Sequence, residues 1–154
     1  MSKIEPKTVQ PQGCTNLKLR QLMRRVAQHY DDEVGKTGLR GTQYSLLSHV
    51  VKLGPVRAVD LAAHMKLNTS TLSRNLQPLV QAGWLAVLPG PDARSRLIEA
   101  TEAGREKRRE AQQRWRVAQT DLNRLLGADT VVALHALLDE AMEKLGPSAD
   151  RVPE

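Results

Sequence analysis

The sequence has 154 residues, enough for one domain with its own core and too few for an ordinary second one. Hydrophobic residues make up 40% and the formal net charge is +6, so the chain reads as a folded protein with a polyanion among its candidate partners. Aromatic residues are 3% and Phe is absent, which favours helices packed through Leu, Val, Ala and Met over an aromatic-rich β-sandwich.

Cys14 is the single cysteine, so no intrachain disulfide can form, and a reducing compartment fits. Residues 1–13 are polar, carry Pro6 and Pro11 and lack the apolar stretch of a signal peptide; they read as a flexible arm. No run approaches the roughly 18 apolar residues of a membrane span. The expectation is a cytoplasmic protein.

The folded domain is expected over residues 14–146. Its first helix, about 15–37, carries Leu19, Leu22, Met23, Val26, Tyr30 and Val34 as an apolar stripe, with Lys18, Arg20, Arg24 and Arg25 off it and Gly35 and Gly38 at its end. Thr42 is the expected cap of a second helix through Tyr44, Leu46, Leu47 and Val50, stopped by Gly54-Pro55. A minor strand at Val56–Ala58 and a third helix at about Val59–Met65 follow. Asn68 is the expected cap of the fourth helix, whose inner face is Leu72, Leu76, Leu79 and Val80. Pro78 removes a backbone donor there and crowds the Arg74 carbonyl, so a bend is expected. Trp84–Leu88 and Leu97–Ala100 read as a hairpin whose Pro89-Gly90-Pro91-Asp92 loop is followed by Arg94 and Arg96. Thr101 caps a long helix, about 102–126, with Glu102 in its favourable first turn. Gly127 breaks it, a last helix spans about 130–145, and 147–154 read as a polar tail.

Helix, short strand, helix, turn, helix, hairpin is the order of a winged helix-turn-helix, a mainly α (α+β) fold. Its lobe covers about 42–100, and its fourth helix is the one expected in a major groove. Thr69, Ser70, Thr71 and Ser73 are short hydroxyl residues at that helix's start, beside the Asn68 cap. They can bond phosphates and base edges without holding the helix away from the groove. The helix dipole favours phosphate at the same end, and Arg74 adds a donor fork suited to guanine or phosphate. Such a hydroxyl run by itself is as readily a capping device. Arg94 and Arg96 on the hairpin strengthen the nucleic-acid reading, because a narrow minor groove attracts exposed arginine. Asp92 would repel phosphate, so its expected role is to cap the turn or brace an arginine.

These residues carry a resemblance. Gln43-Tyr44-Ser45-Leu46-Leu47, Asp60-Leu61-Ala62, Ser70-Thr71-Leu72-Ser73-Arg74-Asn75-Leu76, Gly83-Trp84-Leu85, Asp92-Ala93-Arg94-Ser95-Arg96 and Thr101-Glu102-Ala103-Gly104 together resemble the MarR family of transcriptional regulators, over about residues 15–145. The resemblance implies a homodimer on a pseudo-palindromic double-stranded DNA operator, usually a repressor, often released by a small ligand or by oxidation. It also implies a dimer interface built from the terminal helices, about 15–37 and 102–145. The apolar seams support that interface independently: one small lobe cannot bury them all, whereas two chains exchanging terminal helices can.

A ligand pocket of the kind the resemblance implies would lie where those helices meet the lobe, with His29, Tyr30, Tyr44 and Trp115 as candidates. Each of them serves more readily as plain core or interface. Cys14, just before the first helix, is the candidate for the alternative, a redox-sensing regulator. No nucleotide-binding, hydrolase or metalloprotease motif is present, and His29, His49, His64 and His135 lack metal-ligand spacing. Neither an enzyme, a cofactor nor a bound metal is expected.

Overall fold

The structure is a computed structural model that describes residues 11–92 and 94–146. The tail expected at 147–154 and the arm's first ten residues lie outside the described part.

Among the described residues six helices and three short strands follow in the expected order: α1 Thr15–Val34, α2 Gly41–Leu53, β1 Val56–Arg57, α3 Ala58–Met65, α4 Thr69–Gln81, β2 Leu85–Pro89, β3 Arg96–Ala100, α5 Glu102–Leu126 and α6 Ala128–Leu145. A short 3-10 turn, Gly35–Thr37, closes α1 and ends at Gly38, whose φ of 84° is the left-handed conformation that glycine adopts without strain. The strands form one antiparallel sheet in the order β1-β3-β2, with Val56 opposite Ile98 and Val87 opposite Ile98 from the other side. No helix among the described residues is long and apolar enough to cross a membrane.

The core lies in the lobe. Leu46, Leu47 and Val50 of α2, Leu61 and Ala62 of α3, Leu72, Leu76 and Leu79 of α4, Leu85 of β2, and Ile98 and Ala100 of β3 form one buried cluster. On α2 and α4 these positions recur at three or four residues, and on α3 Leu61 and Ala62 are neighbours, so each helix turns one face inward. Burial of each Leu, Ile or Val contributes about 1.5–3 kcal/mol. Val34, Leu39 and Ala111 extend the cluster toward α1 and α5.

The joint between α5 and the lobe is close. Thr101 caps α5 by accepting the Gly104 N–H at 3.0 Å, and its hydroxyl donates to the Gly83 carbonyl at 2.6 Å. The next turn of α5 then lies so near the chain at Trp84 that a Cβ at Gly104 would stand 1.9 Å from the Trp84 carbonyl oxygen. One turn further, Lys107 donates to the Thr37 carbonyl at 3.1 Å and lies 5.4 Å from the centre of the Trp84 ring.

The terminal helices bury far less. α6 has no buried residue, and Val132, Leu137, Met142 and Leu145 are each more than 60% exposed. On α1, Leu17, Leu19, Leu22 and Met23 are exposed, while Val34 at its far end is fully buried.

Several boundaries differ from the sequence reading. α2 begins at Gly41 rather than after a Thr42 cap. Its first N–H groups are satisfied from elsewhere: the Asp31 carboxylate accepts from Gly41 at 2.7 Å, and the Gln43 side chain accepts from Arg40 at 2.9 Å. α6 begins at Ala128 rather than Thr130, directly after Gly127. α4 runs through Pro78 without interruption. Arg96 belongs to β3, opposite Pro89, and not to the hairpin loop.

Candidate nucleic-acid interface and ligand cleft

The α3–α4 turn sets the start of α4. Lys66 takes the left-handed conformation at φ 53°, and the Leu67 N–H reaches back to the Ala62 carbonyl at 2.9 Å, closing α3. Asn68 then caps α4, its side-chain oxygen accepting the Thr71 N–H at 2.7 Å. Because Leu72, Leu76 and Leu79 face the core, the intervening side chains point away from it. Asn68, Thr69, Ser70, Ser73 and Arg74 are exposed and Thr71 is half-buried. The helix therefore presents hydroxyls, an amide and one guanidinium at its positive end.

Across the lobe, β2 and β3 are joined by a tight loop. Gly90 N–H donates to the Ser95 carbonyl at 2.9 Å. Asp92 accepts from the Ser95 N–H at 2.7 Å and from the Arg94 N–H at 3.0 Å. Those backbone bonds, the Ser95 one first, hold its carboxyl below the ordinary carboxylate range. Asp92 thus caps the turn, the first of the two roles the sequence allowed it. Arg94 and Arg96 are exposed, and neither they nor Arg74 take part in an ion pair among the described residues. Arg74 and Arg94 are therefore free to meet an anion, and Arg96 makes only a long contact, 3.5 Å, to the Ser95 carbonyl. Arg57, by contrast, is engaged: it grips Asp60 through two bonds of 2.8 and 3.3 Å, and that contact lowers the Asp60 carboxyl and raises the Arg57 guanidinium.

A second feature lies between α1, α2 and α5, a cleft of about 650 Å³. Tyr30, Tyr44 and Trp115 all line it, as the sequence reading expected. His29 does not. It follows Gln28 on a different face of α1 and donates its Nε2 proton to the Ala118 carbonyl at 3.0 Å, a helix-to-helix bond between α1 and α5. The Tyr30 and Trp115 rings stand 6.0 Å apart with planes 30° from parallel. Burial raises the Tyr30 phenol above its ordinary range, and its hydroxyl donates to Gln119.

Sequence reasoning missed the polar members of this cleft. Arg108, Gln112 and Ser48 line it, and the Nε of Arg108 and the Oγ of Ser48 are buried without a hydrogen-bond partner. The spacing of Arg108, Gln112 and Trp115 was visible as one helix face. Which face of α5 met α2 was not. Asp31 also lines the cleft, and it is the residue that holds the first N–H of α2.

Cys14 is exposed at the N-cap of α1 and makes no side-chain capping bond. Among the described residues, no three His, Cys, Asp or Glu side chains cluster as a metal site would need.

Comparison with known proteins bears on this geometry. The MarR family profile matches residues 37–95, which run from the end of the 3-10 turn after α1 to the hairpin loop. An uncharacterized HTH-type transcriptional regulator of Bacillus subtilis (strain 168), YwoH, is 24% identical over 89 residues, 58% of this chain. The matched segment spans 65% of that protein's length. Among solved structures, the M. tuberculosis transcriptional regulator MOSR in complex with DNA is 31% identical, with a TM-score of 0.66, over 84% of this chain and 98% of that one. A mutant MarR of E. coli complexed with operator DNA shares the fold at a TM-score of 0.76 and 22% identity, over 82% of this chain and 92% of that one. A probable transcriptional regulator of Pseudomonas aeruginosa does so at 0.75 and 23%, over 84% and 97%.

Proposed function

The chain belongs to the MarR family of transcriptional regulators, and we propose that it is a homodimeric repressor that reads an inverted-repeat DNA operator and is released by a small-molecule effector. Its family and fold are those of a regulator, not of an enzyme. In this reading α4 enters the major groove, with Ser70, Thr71, Ser73 and Arg74 toward base edges and phosphates. Asn68 and Thr69 start the helix against the backbone. The β2–β3 hairpin brings Arg94 and Arg96 to the adjacent minor groove, with Asp92 holding the loop that aims them.

One observation carries this most: the guanidinium groups of Arg74, Arg94 and Arg96 are exposed and outside any ion pair among the described residues, on two elements packed on one core. Unpaired surface arginines on rigid supports are suited to bidentate contact with phosphate and guanine. The dimer is supported by the exposed apolar rows of α1 and α6, since monomers rarely leave so much contiguous apolar surface to water. Two-fold pairing would set two α4 helices about 34 Å apart, one turn of DNA. The effector is supported by the cleft, whose unpaired Arg108 and Ser48 donors sit among aromatic walls. MOSR and the E. coli MarR mutant are both described in complex with DNA, and the same polymer is the ligand proposed for this chain. Its place of action would be the cytoplasm.

The test is selection of bound sequences from random duplexes, run with the wild type, Arg74→Ala and Arg94→Ala. Wild type should return an inverted repeat. Arg74→Ala should lose about 1–3 kcal/mol and relax one or two base positions. Arg94→Ala should weaken binding and change preference only in flanking A/T-rich sequence. Unchanged affinity in both variants would overturn the interface.

A further inference from the structure

A groove of about 370 Å³ runs between α1, α5 and α6, floored by Leu19, Leu22, Met23, Leu122 and Leu134. Beyond it the second half of α6 stands exposed, with Leu137, Met142 and Leu145 turned to solvent. Charge is divided sharply along these two helices. The first eleven residues of α1, Thr15–Arg25, carry Lys18, Arg20, Arg24 and Arg25 and no acid. The last seven of α6 carry Asp139, Glu140 and Glu143 against Lys144 alone, and Lys144 is taken by Glu140. All four α1 cations are exposed, and none of them, nor Asp139 or Glu143, has an ion-pair partner among the described residues.

We propose that the exposed α1–α6 surface is filled by a second copy of this chain in one specific register, with the Arg20–Arg24 row of α1 facing the Asp139–Glu143 row of the second copy's α6. The proposal rests on the dimer reading above and specifies how the two copies recognise each other. Three features of the two helices support it. Arg20 and Arg24 are four residues apart, beside the apolar stripe of Leu19, Met23 and Val26, so they form a row along its flank. Asp139 and Glu143 have the same spacing beside Leu138 and Met142, a matching row of opposite sign. Pairing by likeness is disfavoured: two α1 starts would set four cations against four, and two α6 ends would set acid against acid. The only pairing of these exposed ends that both buries apolar surface and joins opposite charge is α1 with the second copy's α6. A two-fold axis makes that contact twice. Salt bridges flanking an apolar seam contribute little individually, but they fix partner and orientation, as flanking charges do in helical zippers.

The test uses two charge-reversed full-length variants, one carrying Arg20→Glu with Arg24→Glu and the other Asp139→Arg with Glu143→Arg. Wild type, each variant and a 1:1 mixture are weighed by light scattering across a dilution series, with circular dichroism reporting helix content. Wild type should be a dimer that weakens as salt is raised. Each variant alone should dimerise roughly 100-fold more weakly, because four attractive contacts become repulsive. The mixture should restore a 1:1 heterodimer of wild-type strength, which no misfolded variant could do. Two variants that each dimerise as wild type does, or a mixture that stays monomeric, would overturn the charge register while leaving the dimer standing. A monomeric wild type at micromolar concentration would remove both, and would leave the groove to a different protein.

Discussion

At the scale of single residues, this chain is fixed by short polar caps and by one glycine. Asn68 and Thr101 each accept an N–H three residues ahead, and each was legible because Asn and Thr at a helix start have few other reasons to be there. Gly104 was legible only as part of a motif. Its necessity is a packing fact, since α5 leaves the hairpin so close to Trp84 that no side chain fits between. Gly104→Ala should destabilise the protein by roughly 1–3 kcal/mol, read from the midpoint of urea unfolding. Helix propensity alone argues the opposite sign, as Ala is the better helix former by about 1 kcal/mol. A stabilised Gly104→Ala protein would therefore show that the α5 joint is looser than described. Asp92 was left between two roles by its sequence context. Two backbone N–H groups pointing at its carboxylate decide for the turn cap.

Elements follow their apolar periods closely, and departures occur where a partner from elsewhere intervenes. The start of α2 was misplaced because its first N–H is held by Asp31, ten residues back on α1, a contact no local signal encodes. α4 raises the converse case. Pro78 was expected to bend it, and the helix continues past that position, held by Leu72, Leu76 and Leu79 in the core and by the Ala82 N–H on the Pro78 carbonyl at 3.0 Å. The carbonyl of Arg74 still loses its helical partner. Pro78 is exposed, so nothing is lost from the core on replacing it. Pro78→Ala should stabilise the protein by about 1–2 kcal/mol: an interior Pro costs a helix about 3 kcal/mol, offset by the freedom Ala regains in the unfolded chain. Unfolding midpoints measure it. A loss of stability would mean that the helix depends on the break at that point.

At the scale of the whole molecule, the cleft and the proposed reading surface are joined by a short mechanical path. Asp31 lines the cleft and holds the first N–H of α2, and α2 supplies Leu46, Leu47 and Val50 to the core on which α4 rests. A ligand that engages Arg108 and Ser48 would press on that path, and release from DNA follows if the ligand favours a different placing of the lobe. Screening small molecules for release of a fluorescent operator tests this. Compounds active on the wild type should fail on Ser48→Phe, which fills the cleft, while that variant keeps its operator affinity. Equal release from both proteins would place the effector elsewhere.

The sequence by itself determined the order of elements, the inward stripes and the exposed arginines of the hairpin, because those depend on local period, turn chemistry and caps. It also supplied the family, through motifs spread over most of the chain. Only the tertiary structure decided which side chains share the cleft. His29 is adjacent to Tyr30 in sequence, yet it turns to the Ala118 carbonyl, while Arg108 and Ser48, sixty residues apart, meet Trp115. The reason is geometric. A helical period says which residues share a face, but which face meets which neighbour is set by the packing of three helices at once.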